Sequence, residues 1–379
     1  LRQNLKLDLI YFNAGGGHRS AATALEAVMA QSHPGWQVRL VNLQEILDSL
    51  DIFRKVANIR LEDVYNHALA KGWTLGSVLI LRTMQGVIRT YHPAQVKLLT
   101  TVWAERQPEM VVSVVPNFNR AMHESLKKAL PAVPFVTILT DMADYPPHFW
   151  IEKQQQYFIC GTEKAREQAL AAGHDPARVF RTSGMILRPQ FYEPQTTNRE
   201  DGLRKLGLDP ALPTGMVMFG GEGSNVMAPI AERLGNSSAK MQLIMICGKN
   251  EKIRRHVSAL KTTNQIHLEG FTKEIPYFMS LCDFFIGKPG PGSITEAIKM
   301  KLPVFLERNA WTMVQERYNT EWVKEHGVGV VMENFSAIEG AVRRALADCD
   351  LSKMRAKAAA LENRAVFEIP EILAGITNP

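Results

Sequence analysis

Short apolar runs rich in Val, Ile and Phe recur along the chain, separated by stretches of helical periodicity. In the first half they are Leu7–Phe12, Val38–Val41, Met110–Val115, Phe135–Leu139, Tyr157–Cys160 and Val179–Arg181. In the second half they are Met216–Phe219, Leu243–Cys247, Gln265–Leu268, Asp283–Ile286, Val304–Leu306 and Gly329–Met332. Runs that stay apolar instead of alternating, bounded by Gly, Pro or Asn, predict central strands of a parallel sheet with helices on both faces. Each half opens the same way, with a strand, a glycine turn and a helix: Asn13-Ala14-Gly15-Gly16-Gly17-His18 before Ser20–Met29, and Gly220-Gly221-Glu222-Gly223-Ser224 before Met227–Leu234. The expected fold is therefore α/β, with two doubly wound, Rossmann-like domains facing each other across a cleft. Ligands in such sheets sit beyond the carboxyl ends of the strands, where both glycine turns lie.

The polar, proline-flanked segment from Gln195 to Pro213 sets the expected boundaries. They are a first domain over 1–195, a linker over 196–213, a second domain over 214–366 and a tail over 367–379. Met354 to Val366 is alanine-rich and is expected to be helical.

Composition narrows the class. A 379-residue chain with 46% hydrophobic and 22% charged residues is that of a globular protein with two ordinary cores. No apolar run reaches the roughly 18 residues of a membrane-spanning helix, and Leu1–Ile10 has no signal-peptide pattern. A chain opening on Leu1 in place of Met is expected to lack a short leader. Cys160, Cys247, Cys282 and Cys349 are far apart and form no C-x-x-C pair, so they read as reduced, mostly buried thiols of a cytosolic protein with no metal site. The net charge of +6 fits nucleic acid, an anionic membrane surface or a phosphorylated substrate. Dispersed basic residues without an arginine-rich arm disfavour nucleic acid. Phe53 to Trp103 interleaves Arg54, Lys55, Arg60, Lys71, Arg82, Arg89 and Lys97 with Trp73, Leu75 and Val78–Leu81. This stretch reads either as an interfacial helical region or as a core helix pair with solvated cations.

Three loops carry chemistry. In the first, Gly15 to Gly17 let backbone approach a ligand at a helix N-terminus, and His18 projects from the first turn. An imidazole titrating near neutrality could take a proton from an attacking hydroxyl; the alternative is a plain tight turn. A dinucleotide fingerprint is excluded, because Ser20 or Ala21 holds the third glycine position, and no Lys-Ser or Lys-Thr makes it a phosphate-loop motif. In the second, the amides of Gly221 and Gly223 with the Ser224 hydroxyl could hold a diphosphate. The third is Gly287-Lys288-Pro289-Gly290-Pro291-Gly292-Ser293, rigid and poor in side chains, with a helix expected from about Ser293 and Glu296 near the end of its first turn. Glu296 suits a ribose or a helix cap. Gln315, Glu316 and Asn319 offer polar groups for sugar hydroxyls, or a solvated helix face.

From this third block the sequence resembles the monogalactosyldiacylglycerol synthases and the processive diacylglycerol glucosyltransferases, with the peptidoglycan lipid II synthase as a wider relative. The segments CDFFIGKPGPGSITEAIKMKLPVFL, GGGHRSAA, VTILTDMADYPPHFW, SGMILRPQFYEP, FGGEGSN, QLIMICGKNEK and HLEGFTKEIPYFMSLCD agree in order. The resemblance implies a GT-B glycosyltransferase, cytoplasmic and peripherally attached to the inner face of a membrane, with no metal or other cofactor. The first domain would hold a lipid acceptor such as diacylglycerol, and the second UDP-galactose or UDP-glucose. It implies that His18 is a base or acceptor-orienting group, that Asp141 lies beside the acceptor, and that Gly16 and Gly17 line that side. It further implies that Gly221, Gly223 and Ser224 hold the diphosphate, Phe271 the uracil, Gly290, Pro291, Gly292 and Ser293 the phosphates, Glu296 the ribose, and Gln315 and Glu316, with Asn319, the sugar. Pro289 replaces the family's usual Ala. Tyr145-Pro146-Pro147-His148-Phe149-Trp150 replaces its His-Pro-Thr-Trp-Phe, and Asn309–Val314 differs from the plant enzymes, so the acceptor and the choice of hexose stay open. The expected reaction is an inverting displacement at the anomeric carbon. Two rivals share the architecture: a UDP-sugar epimerase resembling the non-hydrolysing UDP-GlcNAc 2-epimerases, and a regulatory UDP-sugar-binding protein.

Overall fold

A computed structural model describes residues 4–13, 17–48, 85–86 and 88–377. The chain groups into two compact units, one of Leu1–Pro189, Met313–Gln315 and Asn363–Pro379, the other of Gln190–Thr312 and Glu316–Glu362.

The first unit is built on a parallel sheet of β1 (Leu5–Tyr11), β2 (Trp36–Asn42), β3 (Met110–Ser113), β4 (Phe135–Ile138), β5 (Tyr157–Cys160) and β6 (Val179–Arg181), in the order β2-β1-β3-β4-β5-β6. Leu7 pairs with Val38 on one side and Met110 on the other. The second unit has β7 (Thr214–Met218), β8 (Gln242–Ile246), β9 (Ile266–Glu269), β10 (Phe284–Gly287), β11 (Val304–Glu307) and β12 (Gly329–Met332), in the order β12-β11-β10-β7-β8-β9. Met216 sits between Ile244 and Phe285. Every expected strand is formed, with ends shifted by no more than two residues. The reason is burial on both faces: β3, β4, β7, β8 and β10 contain no exposed residue, so their sequences have no polar alternation to confuse the reading.

Each sheet reverses its winding once, between β1 and β3 and between β7 and β10. The loops leaving those strands are where a doubly wound sheet opens a crevice for ligands.

Asp8, in the middle of β1, is fully buried. Arg39 Nε of β2 donates to its Oδ1 at 2.6 Å, and Arg106 Nε, from the helix His92–Arg106, donates to its Oδ2 at 2.7 Å. Arg39 also donates to the Arg106 carbonyl. The same helix buries Trp103, whose Nε1 donates to Ser125 Oγ at 2.8 Å. Of the basic stretch from Phe53 to Trp103, residues 53–84 and 87 lie outside the described residues. Among the described residues, no helix is long and apolar enough to cross a membrane.

One local expectation is corrected. The helix expected over Met354–Val366 ends at Ala360, and another runs over Ala365–Ile376. Asn363 makes the break: its Nδ2 donates to the Met185 carbonyl at 2.9 Å and its Oδ1 accepts from Ala365 N at 3.1 Å. The last helix packs on the helix Gly17–Ser32 of the first unit. The segment read as a linker contains the helix Arg199–Lys205, capped by Asn198 Oδ1 and tied by Arg199 to Asp283 at 2.7 Å within the second unit. Three cysteines are buried and Cys349 is exposed; burial pushes the Cys160 thiol up to about 12.

Candidate active site

In the first unit, His18 is the second residue of the helix Gly17–Ser32, the first helix after β1. Gly15 and Gly16 lie outside the described residues. Gly17 is exposed, with open space where a Cβ would stand. The His18 ring is held from two sides. Thr140 Oγ1, just past β4, is 3.1 Å from Nδ1, and the Trp150 ring lies 6.0 Å away, centroid to centroid. Trp150 Nε1 donates to Asp141 Oδ2 at 2.9 Å, so Asp141 and His18 flank one buried indole.

The loop that delivers Trp150 is itself braced. Asp144 Oδ1 accepts from Trp150 N at 2.7 Å and Oδ2 from His148 N at 3.0 Å, while Gln168 bonds the Asp144 backbone in both directions. Burial raises the Asp144 carboxyl, and the N–H donors of Trp150 and His148 oppose that shift. Neither Thr140, Asp144 nor Trp150 stands out in the sequence as a site residue. They are visible only as neighbours of Asp141 in a quoted segment, because the contacts that bring them to His18 span about half of the unit.

The expectation of a near-neutral imidazole is corrected. Burial pushes the His18 imidazole down to about 4, against a raising backbone hydrogen bond at Val114. His18 is therefore neutral throughout the physiological range. Because its folded value lies below the unfolded value near 6.5, the unfolded chain takes up a proton first as pH falls. Stability present above pH 6.5 is lost as pH drops from there towards 4. Thermal unfolding followed from pH 7.5 to 4.5 is expected to show this loss, and His18→Gln is expected to flatten that part of the profile.

In the second unit the loops after β7, β8, β9, β10 and β11 emerge along one sheet edge and are tied to each other. Gly220 and Gly223 adopt left-handed φ values of 78° and 67°. Lys249 N donates to Gly221 O at 2.9 Å, joining the β7 and β8 loops. At Gly248 (φ 62°) an added Cβ would sit 2.2 Å from Gly221 O, so the two loops touch backbone to backbone. Phe271, after β9, is exposed, with Lys249 Nζ 5.7 Å from its ring centroid. Gly248 was not singled out from sequence, although Cys247-Gly248-Lys249-Asn250 repeats the strand-then-glycine pattern of the other turns. Gly248→Ala is expected to cost about 1–3 kcal/mol of stability; thermal melts check it.

After β10 the helix starts at Pro291, two residues before the expected Ser293, with Gly290 as its cap residue. Pro291 has no N–H, and the first intrahelical bond runs from Ile294 N to Gly290 O at 3.1 Å. The amides of Gly292 and Ser293 thus precede the first helical bond at the positive end of the helix. Gly292 is exposed, with nothing within 4 Å of an added Cβ. Glu296 consequently falls in the second turn, not the first, and is half-buried.

The helix Val314–His326 backs this loop. Buried Glu316 Oε1 lies 3.4 Å from Lys288 Nζ, and buried Asn319 Nδ2 donates to Pro289 O at 2.8 Å. Gln315 is buried in the same first turn. Ser224 is half-buried, 3.4 Å from Val226 N.

Residues 18–185 match the family model described as monogalactosyldiacylglycerol (MGDG) synthase, and residues 217–373 that of the glycosyltransferase family 28 C-terminal domain. The chain is thus similar to the monogalactosyldiacylglycerol synthases over its first half and to the family 28 glycosyltransferases over its second. It is 28% identical to monogalactosyldiacylglycerol synthase 1, chloroplastic, of Arabidopsis thaliana over 342 residues, which is 86% of this chain and 61% of that sequence. To the probable synthase 2, chloroplastic, of Oryza sativa subsp. indica it is 28% identical, covering 85% of this chain and 69% of that one. Among solved structures, Acinetobacter baumannii MurG superposes with a TM-score of 0.62 at 11% identity, covering 98% of this chain and 99% of that chain. A UDP-GlcNAc 2-epimerase from Neisseria meningitidis bound to UDP-GlcNAc gives 0.59 at 14%, with 98% and 99% covered. The fold is GT-B, and the chain carries the expected pair of doubly wound units.

Proposed function

We propose that this protein transfers a hexose from UDP-galactose or UDP-glucose to a lipid acceptor such as diacylglycerol, with inversion. The observation that carries the reading is the bare amide pair Gly292–Ser293 at a helix start, standing beside the Gly220–Ser224 turn across the switch point of the second sheet. Backbone N–H groups at a helix N-terminus suit a diphosphate, and the curated relatives are named for making a galactolipid.

In this reading the second unit binds the nucleotide. Phe271 takes the uracil face, Glu296 the ribose, and Gly221, Gly223, Ser224 and Gly290–Ser293 the diphosphate, with Glu316 and Asn319 on the sugar side. Glu316 and Asn319 also hold the Lys288–Pro289 loop in place. The main electrostatic task is to stabilise the charge that develops on departing UDP, and fixed amides do so without reorganising. No resident metal is invoked, so turnover is expected to survive a chelator. The first unit orients the acceptor hydroxyl at neutral His18, beside Asp141 and the acceptor-side Gly16 and Gly17, and the protein works at an anionic membrane surface on its cytoplasmic face.

Incubating the protein with each UDP-hexose and diacylglycerol in mixed vesicles, then weighing the lipid product by mass spectrometry, tests the proposal. A glycosylated diacylglycerol with the β-anomer from an α-donor is expected. Conversion of the donor sugar in the absence of lipid would point instead to an epimerase. UDP binding without any product would point to a regulatory protein.

A further inference from the structure

Among the described residues two large apolar side chains are exposed, Phe271 at 58% and Trp311 at 52%. Both stand on loops leaving the carboxyl ends of strands in the second sheet, Phe271 after β9 and Trp311 after β11. Between β9 and β11 lie β8, β7 and β10, whose loops hold Gly248, the Gly220–Ser224 turn and the Gly290–Ser293 helix start. The two strands are four spacings apart, about 19 Å, a span an extended nucleoside diphosphate hexose can bridge.

The Trp311 loop is built to hold its side chain out. Asn309 Oδ1 accepts from Trp311 N at 2.9 Å, Asn309 N donates to Thr312 Oγ1 at 3.0 Å, and Asn309 Nδ2 donates to Glu333 O at 3.1 Å. Arg317 Nε donates to Thr312 O at 3.2 Å, fastening the loop to the helix that also carries Glu316 and Asn319. An exposed indole on a mobile tail would be unremarkable. One carried on a loop held by four hydrogen bonds, at the strand ends that also carry the phosphate loops, suits a partner with an apolar face and polar rim. The C–H face of a pyranose is such a partner, since it stacks on an aromatic ring while its hydroxyls stay bonded to polar neighbours.

We infer that Trp311 is the stacking platform for the hexose of the donor, at the opposite end of the edge from Phe271. The inference rests on the donor assignment made above and adds to it a residue that recognises the sugar and not the nucleotide. Trp311 thereby separates UDP-hexose from UDP.

Calorimetric titration of UDP, UDP-galactose and UDP-glucose into the parent, Trp311→Ala and Trp311→Phe tests it. Trp311→Ala is expected to weaken the preferred UDP-hexose by about 5- to 20-fold, while UDP changes less than about twofold; Trp311→Phe keeps most of the hexose affinity. The inference is overturned if Trp311→Ala binds UDP-hexose as the parent does, or loses UDP in the same proportion. It is also overturned if the variant loses only association with vesicles of anionic phospholipid, the outcome expected of an interfacial anchor. A parent that binds no UDP overturns the donor assignment and this inference with it. A parent that binds UDP with an indifferent Trp311→Ala overturns the inference alone.

Discussion

Replacing His18 by Ala is expected to lower kcat by about 10²–10³-fold while leaving UDP affinity within about twofold of the parent. General bases of this kind contribute roughly 10²–10⁴. The lower part of that range is expected here because burial holds the imidazole down to about 4, which makes it a weak proton acceptor. Under the proposed function its contribution is expected to be mostly positional, as a neutral ring fixed by Thr140 and Trp150. The acidic limb of kcat/KM assigned to this group is accordingly expected near pH 4 and not near 6.5. Thr140→Val removes one hydrogen bond to the ring and is expected to cost about 1 kcal/mol, or about fivefold. The outcome that would sink this role is a His18→Ala enzyme turning over within a few-fold of the parent.

The second large effect concerns stability. Asp8→Ala is expected to remove about 3 kcal/mol, seen as a fall of about 6–12 °C in the melting of the first unit. The carboxylate is fully buried and accepts from Arg39 on Oδ1 and from Arg106 on both oxygens, so its loss leaves the two guanidinium groups without their shared acceptor. Both arginines are about one-third exposed, at 35% and 33%, which limits the cost because water can reach them. UDP binding is expected to be unchanged, since the loops assigned to it belong to the second unit. Equal losses of UDP affinity and melting temperature would show that the ion triad supports more than its own sheet.

The strands were legible because burial on both faces leaves a continuous apolar run, and the glycine turns because a helix that starts after a strand needs backbone room there. What could not be read was set by distant contacts. The pKa of His18 depends on what covers it, and nothing in Gly17-His18-Arg19 records that Thr140 and Trp150 do. The break at Asn363 is decided by the carbonyl of Met185, 178 positions earlier. The exposure of Trp311 is likewise invisible in a sequence where most Trp residues would be counted as core. The helix Arg199–Lys205 is a different case: Asn198 followed by Glu200 and Asp201 is a local start signal, outweighed in the reading by the prolines and polar residues around it.

The docking of the helix Ala365–Ile376 on the helix Gly17–Ser32 bears on how the polypeptide is made. During translation the amino-terminal sheet emerges early, but one of its covering helices is encoded after the whole second unit. Until the ribosome has delivered residues 365–376, the nascent first unit stands with that helix face bare, while the whole second unit can already fold. The first unit is therefore completed after the second, and a chain interrupted before Asn363 carries every segment of the second unit while the first lacks one helix.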